Sequence, residues 1–241
     1  MRKTLTAVAA LAMVAGAAQA DVYSDNSGWH VSGGDLHDFF FQQSFDHLDI
    51  ASVEVTNDAT NLYIDITAVG DLDATSWGKY LVGMNTGANA GSTAGAWGRN
   101  IDWAGGLTHF AGTWADDGGS GVGGELHSYD GAAWSMIDAT YAAGTEIQGD
   151  DSGHAAGTQG IVISLAALGL SAGDTFTFDV ASTGGGGGDP GIDHLSLSSF
   201  ATDDWANGST SGAFLSYTVV PAPGSVALLG LGGLVGLRRR R

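Results

Sequence analysis

Residues 97–103 (WGRNIDW) combine two kinds of side chain that suit carbohydrate recognition. Indole rings stack on the apolar C–H faces of sugars, while carboxylate, amide and guanidinium groups bond sugar hydroxyls. The stretch supplies both kinds in Trp97, Arg99, Asn100, Asp102 and Trp103. We therefore predict a polysaccharide-binding loop here. The alternative is that these tryptophans anchor the core, since large aromatic side chains dominate protein interiors.

Histidine and carboxylate side chains lie close together at several places, where they could ligate a divalent metal. Hard oxygen ligands suit Ca²⁺, but no stretch has EF-hand or HExxH spacing. The groups lie within residues 35–38, 46–49, 150–151, 193–194 and 203–204. Such neighbours arise by chance in an acidic chain, so we expect solvated loop carboxylates. No cofactor is predicted, and weak Ca²⁺ binding stays open without an assigned site.

The sequence contains no recognisable catalytic motif. Cysteine is absent, and there is neither a GxSxG elbow nor an HExxH helix. Glycoside hydrolysis needs two carboxylates that meet only in three dimensions, and glutamate is limited to Glu54, Glu125 and Glu146. We predict a non-catalytic protein with no catalytic residues to assign. A secreted glycan-active hydrolase is the alternative.

Charge is distributed unevenly along the chain. Between Asp21 and Val219 lie all 26 Asp and Glu residues but only two basic residues, Lys79 and Arg99, which gives this segment a net charge of −24. Nucleic acids and anionic lipids bind positively charged surfaces. The acidic segment therefore excludes nucleic acid as a partner.

The N-terminus has the layout of a secretory signal peptide over residues 1–20. Arg2 and Lys3 precede an apolar run, and Ala18 and Ala20 place small residues at positions −3 and −1. Signal peptidase is the expected partner, with cleavage before Asp21. The apolar run is short of the ~20 residues that a spanning helix needs, which argues against a permanent anchor.

The C-terminus differs from the acidic body in both charge and polarity. After Pro221, Ala222 and Pro223, residues 225–237 carry no charge and would form a helix ~20 Å long. This is a marginal span of a hydrocarbon core ~30 Å thick. The predicted anchor residues are Val226, Leu228, Leu229, Leu231, Leu234, Val235 and Leu237. The basic cluster that would hold the terminus on the cytoplasmic side is Arg238, Arg239, Arg240 and Arg241.

A proline motif, an apolar segment and a terminal arginine cluster together resemble the PEP-CTERM sorting signals of Gram-negative bacteria. Ala222 stands where that family has glutamate. The resemblance implies an exosortase-like sorting enzyme as a partner. It also implies transient anchoring in the inner membrane, followed by release to the cell surface or extracellular matrix.

Period-2 alternation predicts an all-β body over residues 21–219. Residues 48–56 and 61–69 alternate apolar and polar side chains across a short Asn/Asp turn, as an antiparallel hairpin does. With the further candidates, about ten strands and no helical period predict a β-sandwich. The further candidates are residues 79–85, 107–114, 124–129, 133–138, 159–164, 175–182, 194–200 and 213–219.

Two blocks of the body resemble secreted DOMON-like domains, a group that includes carbohydrate-binding modules. The blocks are residues 160–183 (GIVISLAALGLSAGDTFTFDVAST) and residues 48–66 (LDIASVEVTNDATNLYIDI). The resemblance implies a jelly-roll-like β-sandwich and suggests sugar binding by analogy of fold.

These observations together predict an exported, non-catalytic protein of the cell envelope or extracellular matrix that binds polysaccharide. The alternative in another class is a purely structural acidic matrix protein without sugar binding, whose charge serves solubility and Ca²⁺-bridged association.

Overall fold

The computed structural model describes residues 20–25, 37–114, 123–140 and 145–221. Over these residues the chain is all-β and its sheets are antiparallel apart from one short parallel pair, which confirms the predicted class. One short helix, α1 (Asp38–Phe41), and three 3₁₀ turns (Asp46–Leu48, Leu72–Ala74 and His154–Ala156) interrupt the strands. The strands are β1 Asp21–Ser24, β2 Ile50–Asn57, β3 Asn61–Ala68, β4 Lys79–Asn85, β5 Ile101–Asp102, β6 His109–Trp114, β7 Gly123–Tyr129, β8 Trp134–Ala139, β9 Ile147–Asp150, β10 Thr158–Ser164, β11 Thr175–Thr183, β12 Gly191–His194, β13 Ser209–Thr210 and β14 Leu215–Thr218.

The first sheet has five strands in the order β1-β2-β3-β10-β9. Its β2–β3 hairpin forms as the alternation predicts, because Val53, Val55, Ile64 and Ile66 are buried on one face. The turn is closed by the Asp58 carboxylate, which accepts the backbone N–H groups of Thr60 and of Asn61, the first residue of β3. Alternation and turn chemistry agree here, and the sequence therefore specifies the register.

The second sheet has seven strands, in the order β12-β11-β4-β6-β7-β8 with β14 paired to β11. One face of this sheet packs against the first sheet in a shared core. Val53 and Ile64 of the first sheet lie in one apolar cluster with Val82, Leu126 and Phe178 of the second. Burying each such side chain contributes about 1.5–3 kcal/mol.

The other face of the second sheet carries a separate apolar cluster. Leu81, Phe110 and Ala181 project from β4, β6 and β11, and the connection 86–108 covers them with Trp103 and Leu107. The apolar–polar alternation of the strands does not predict this second core, because the residues that cover it lie in a loop.

Nine of the ten predicted strands match observed strands, with bounds shifted by at most two residues at each end. The prediction of a strand over residues 194–200 is wrong: β12 ends at His194, and the chain then turns. The described part holds fourteen strands instead of about ten. The strands that were missed, β1, β5, β9, β12 and β13, are two to four residues long, too short to show a period.

Both ends of the body lie beside β2. Asp21, the first residue of β1, pairs with Val55, and Val220 is held by the side chain of Asn57. Apart from Ala20, Val220 and Pro221, the predicted signal peptide and sorting signal, including Ala18, Ala222, Pro223, the anchor leucines and valines and the four arginines, lie outside the described residues. In the part of the chain that the structure describes, no helix is long and apolar enough to cross a membrane.

Candidate functional site

The structure separates the five predicted sugar-binding residues. Trp103 is fully buried, Trp97 and Arg99 are partly buried, and Asn100 and Asp102 are exposed. They therefore do not form one continuous binding surface, although they stand within seven residues of one another in the sequence.

Trp103 belongs to the core of the second sheet. Its ring packs edge-on against His194 and Phe214, and it lies over Gly83, where an added Cβ would come within 2.8 Å of the indole. Its exposure is 0%, so no sugar can stack on it in this arrangement. The prediction that Trp103 contacts a ligand is wrong, and the alternative of a core anchor describes it instead.

Arg99 is engaged within the fold. Its guanidinium lies 4.0 Å from Asp189 Oδ2 and 5.9 Å from the centre of the Trp97 ring. Burial lowers the pKa of Arg99, and the nearby charge of Asp189 partly opposes that shift. This cation therefore links the 97–103 stretch to the glycine-rich loop 184–189.

Asn100 and Asp102 hold the same stretch in place through their backbones. The N–H of Asn100 donates to Asp189, and Asp102 pairs with Thr210 in the parallel β5–β13 contact. Both residues are exposed.

Three tryptophans instead gather on the outer face of strands β6 to β8, around a glutamate–histidine pair. We call this surface the tryptophan face; it consists of Trp97, Trp114, Glu125, His127 and Trp134. The three indoles are partly exposed. Glu125 and His127 keep 19% and 13% of their side-chain surface accessible.

The register of the sheet creates this face. Gly112 pairs with Glu125, and Phe110 pairs with His127, so these four residues share one side of the sheet. Gly112 has no side chain to occupy the space, and Trp97 fills it, lying 2.5 Å from where a Cβ would stand. The glycine thus lets a loop residue reach the strands from outside.

Hydrogen bonds fix the orientation of the groups at the centre of the face. Trp97 Nε1 donates to Glu125 Oε2 at 2.7 Å, and His127 Nε2 lies 2.9 Å from the same oxygen. Trp134 Nε1 donates to the carbonyl of Ala94 at 3.0 Å. Such preorganised aromatic and carboxylate groups lose little side-chain entropy when a ligand binds.

The aromatic rings themselves contact one another across the face. Trp97 and Trp114 lie 5.7 Å apart with a tilt of 37°, and Phe110 packs beneath, 5.6 Å from Trp97 and 6.2 Å from Trp134. The indoles therefore form a surface backed by the core, and their outer sides can stack on a planar or ring-shaped ligand.

A second polar constellation was missed by the sequence reasoning. His194 Nδ1 lies 2.7 Å from Asp179 Oδ2, and His194 Nε2 lies 3.2 Å from Ser209 Oγ. The order Asp–His–Ser matches that of a hydrolytic triad. However, Asp179 and His194 are 0% exposed and Ser209 is 4% exposed, so a substrate has no access to this serine.

This buried group acts as a polar connection between strands. Asp179 also accepts the backbone N–H groups of Val180 and Ser196, and Ser209 accepts that of Gly191. The group therefore ties β11, β12 and β13 together. The adjacent Asp193, which the sequence grouped with His194 as a possible metal ligand, accepts the backbone N–H groups of His194 and of Ile50 from the first sheet.

In the groups 150–151 and 203–204, carboxylates accept hydrogen bonds within turns. Asp150 accepts the N–H of Ser152, Asp203 accepts from the side chain of Asn207, and Asp204 accepts the N–H of Ala206. Within the described ranges, no three His, Asp or Glu side chains are arranged to hold a metal ion.

An open groove of about 640 Å³ lies beside the turn that follows β10. Among the residues that the structure describes, Asn61, Glu146, Ser164 and Ser171 contribute polar lining to the groove and no aromatic ring lines it. The groove therefore lacks the stacking surface that the tryptophan face offers.

The fold and the face define an all-β protein with an aromatic surface backed by a buried core. No protein-family model and no curated protein matches the chain. Its function is therefore argued from its own residues.

Proposed function

We propose that this chain is an exported, non-catalytic β-sandwich protein of the cell envelope or extracellular matrix that binds polysaccharide through the tryptophan face. The sandwich is proposed because two sheets enclose one apolar core. The observation that carries the binding is the gathering of three partly exposed indoles around the oriented Glu125–His127 pair. Stacking on indole and bonding to a carboxylate are the two contacts that a sugar ring requires.

The export and sorting parts of the proposal rest on the two chain ends. The signal-peptide layout over residues 1–20 and the PEP-CTERM-like layout over residues 220–241 bracket the folded body. Signal peptidase and an exosortase-like enzyme are the proposed processing partners, and the inner membrane and then the cell surface or matrix are the proposed locations.

Affinity electrophoresis of the purified protein in gels containing neutral polysaccharides tests the binding. We expect retardation of the unmodified protein, and we expect Trp134→Ala and Trp97→Ala to weaken it by about fivefold or more, since an aromatic contact contributes on the order of 1 kcal/mol. Asn100→Ala and Asp102→Ala are the matched controls, because both residues belong to the 97–103 stretch but not to the face.

Three results would contradict the proposal. Absence of retardation in every gel would favour a purely structural matrix protein. Loss of retardation only in the Asn100 and Asp102 variants would place the site on the 97–103 stretch. Cleavage of the polysaccharide during the run would favour a hydrolase.

A further inference from the structure

The tryptophan face carries a negative charge in addition to its aromatic surface. Glu125 lies at its centre, and Trp97 and His127 both bond to one carboxylate oxygen, which fixes the position of the charge. The Glu125 side chain keeps 19% of its surface accessible, so a ligand on the face can reach it.

Apart from His127, which lies 2.9 Å from Glu125 and is charged only when protonated, the tryptophan face has no cationic side chain to offset this charge for an anionic ligand. Lys79 and Arg99 are the only basic residues between Asp21 and Val219. Lys79 Nζ donates to the carbonyls of Trp77 and Gly78, and Arg99 faces Asp189. An acidic polymer would therefore meet Glu125 within a body of net charge −24, and repulsion would act over roughly 8 Å at physiological salt.

An ammonium group would meet the opposite conditions. Indole faces attract cations through their negative ring quadrupole, and a carboxylate forms short, charge-assisted hydrogen bonds to an ammonium. The face supplies both within one surface, because Trp97 donates directly to Glu125 at 2.7 Å.

We infer that the tryptophan face selects glycans that carry free amino groups, with Glu125 pairing the ammonium while the indoles stack on the sugar rings. The inference rests on the proposed polysaccharide binding and names the class of sugar that this surface takes. Neutral glycans bind more weakly through stacking alone, and uronic-acid polymers are rejected.

Calorimetric titration of the purified protein with three oligosaccharides of equal length tests the selection. The probes are a glucosamine oligomer in a mildly acidic buffer that keeps its amines protonated, the fully N-acetylated oligomer and a galacturonate oligomer. We expect the glucosamine oligomer to bind about tenfold more tightly than the acetylated one, which is the scale of one charge-assisted hydrogen bond. The galacturonate oligomer should give no binding heat.

The Glu125→Gln variant tests whether the preference for amino sugars comes from the pair between Glu125 and the ammonium group or from the overall negative charge of the body. Glutamine keeps an oxygen that can accept from Trp97, so the fold is retained while the charge is lost. We expect this variant to bind the glucosamine and acetylated oligomers with equal affinity. Glu54→Gln is the matched control, because Glu54 is an exposed glutamate on β2 of the other sheet and its loss should leave the preference intact.

The possible outcomes distinguish a failure of the amino-sugar selection from a failure of the proposed polysaccharide binding. Equal affinity of the unmodified protein for amino and acetylated oligomers, binding of galacturonate, or an equal loss in the Glu54 and Glu125 variants overturns the inference alone. Absence of binding to all three oligomers overturns the proposed polysaccharide binding as well.

Discussion

Single carboxylates in this acidic chain differ widely in what surrounds them. Asp58 accepts the backbone N–H of Thr60 and that of Asn61, each at 2.7 Å, together with the hydroxyl of Tyr63. These hydrogen bonds, with that from the Thr60 backbone the largest, lower the pKa of Asp58 from 3.8 to about 2. By contrast, burial raises the pKa of Asp65 on the neighbouring strand, and Glu54 adds to the shift. The hydrogen bonds of the turn therefore favour the ionised form of Asp58.

The lowered pKa of Asp58 makes part of the folding stability depend on pH. Because the unfolded chain binds the proton more tightly, the stabilisation is fully present above about pH 4 and is lost as the pH falls from 3.8 toward 2. Asp58→Asn should therefore be less stable than the unmodified protein at pH 5, and the difference should shrink toward pH 2.

Thermal unfolding of both proteins across this range measures the effect. Tyr63→Phe removes only one of the hydrogen bonds to Asp58 and should produce a smaller change of the same sign. A difference between Asp58→Asn and the unmodified protein that stays constant from pH 5 to pH 2 would show that the turn does not depend on the charge.

At the scale of elements, the connection 86–108 is the part that shapes the candidate site. It covers the outer face of the second sheet, with Trp103 over Gly83 and Trp97 over Gly112. The backbones of Ser92 and Leu107 bond to each other and close the connection into a compact loop. Two tryptophans that look alike in the sequence thus serve different purposes, one in the core and one at the surface.

Trp103→Ala should lower the free energy of unfolding by about 3–5 kcal/mol, because it removes a fully buried aromatic side chain and leaves a cavity. Chemical denaturation measures this loss. Trp134→Ala is the matched control: its indole is only partly buried, so its unfolding free energy should fall by clearly less. Equal losses in the two variants would show that Trp103 does not anchor the second core.

Elements with a periodic pattern of apolar side chains could be predicted from the sequence, and contacts that depend on strand pairing or on loops could not. Strands such as β2, β3 and β4 alternate or run apolar over seven or eight residues, and the sequence located them to within two residues. Glu125 and His127 were not predicted to lie beside Trp97, because that contact depends on the pairing of β6 with β7 and on the absence of a side chain at Gly112. The sequence also did not decide whether Trp103 is buried or exposed, because a tryptophan in a loop belongs to no periodic pattern.

For the whole molecule, the acidic body and its two unlike ends act at different stages of the proposed export route. The body carries a net charge of −24 and the last four residues are arginines. Under the proposal, the ends direct the chain across the membrane and are then removed.

Intact-mass measurement of the protein purified from the cells that produce it tests this route. We expect a mature form that begins at Asp21 and lacks the residues beyond about Pro223. A mass that retains the four C-terminal arginines would contradict processing at the proline motif, and one that retains residues 1–20 would contradict signal-peptide cleavage.

The contacts that join the two ends of the body also decide when the fold can be completed. Tyr23 of β1 donates to the carbonyl of Ser216, 193 residues later, and Asn57 bonds to Val220, 163 residues later. Contacts so distant in sequence form only after both partners are present, and they make folding slow. A chain that crosses a membrane from its N-terminus must therefore hold β1 and β2 without their last partners until nearly the entire body has emerged. Under the proposed export, the time needed to translocate Val220 sets the earliest moment at which the body can close.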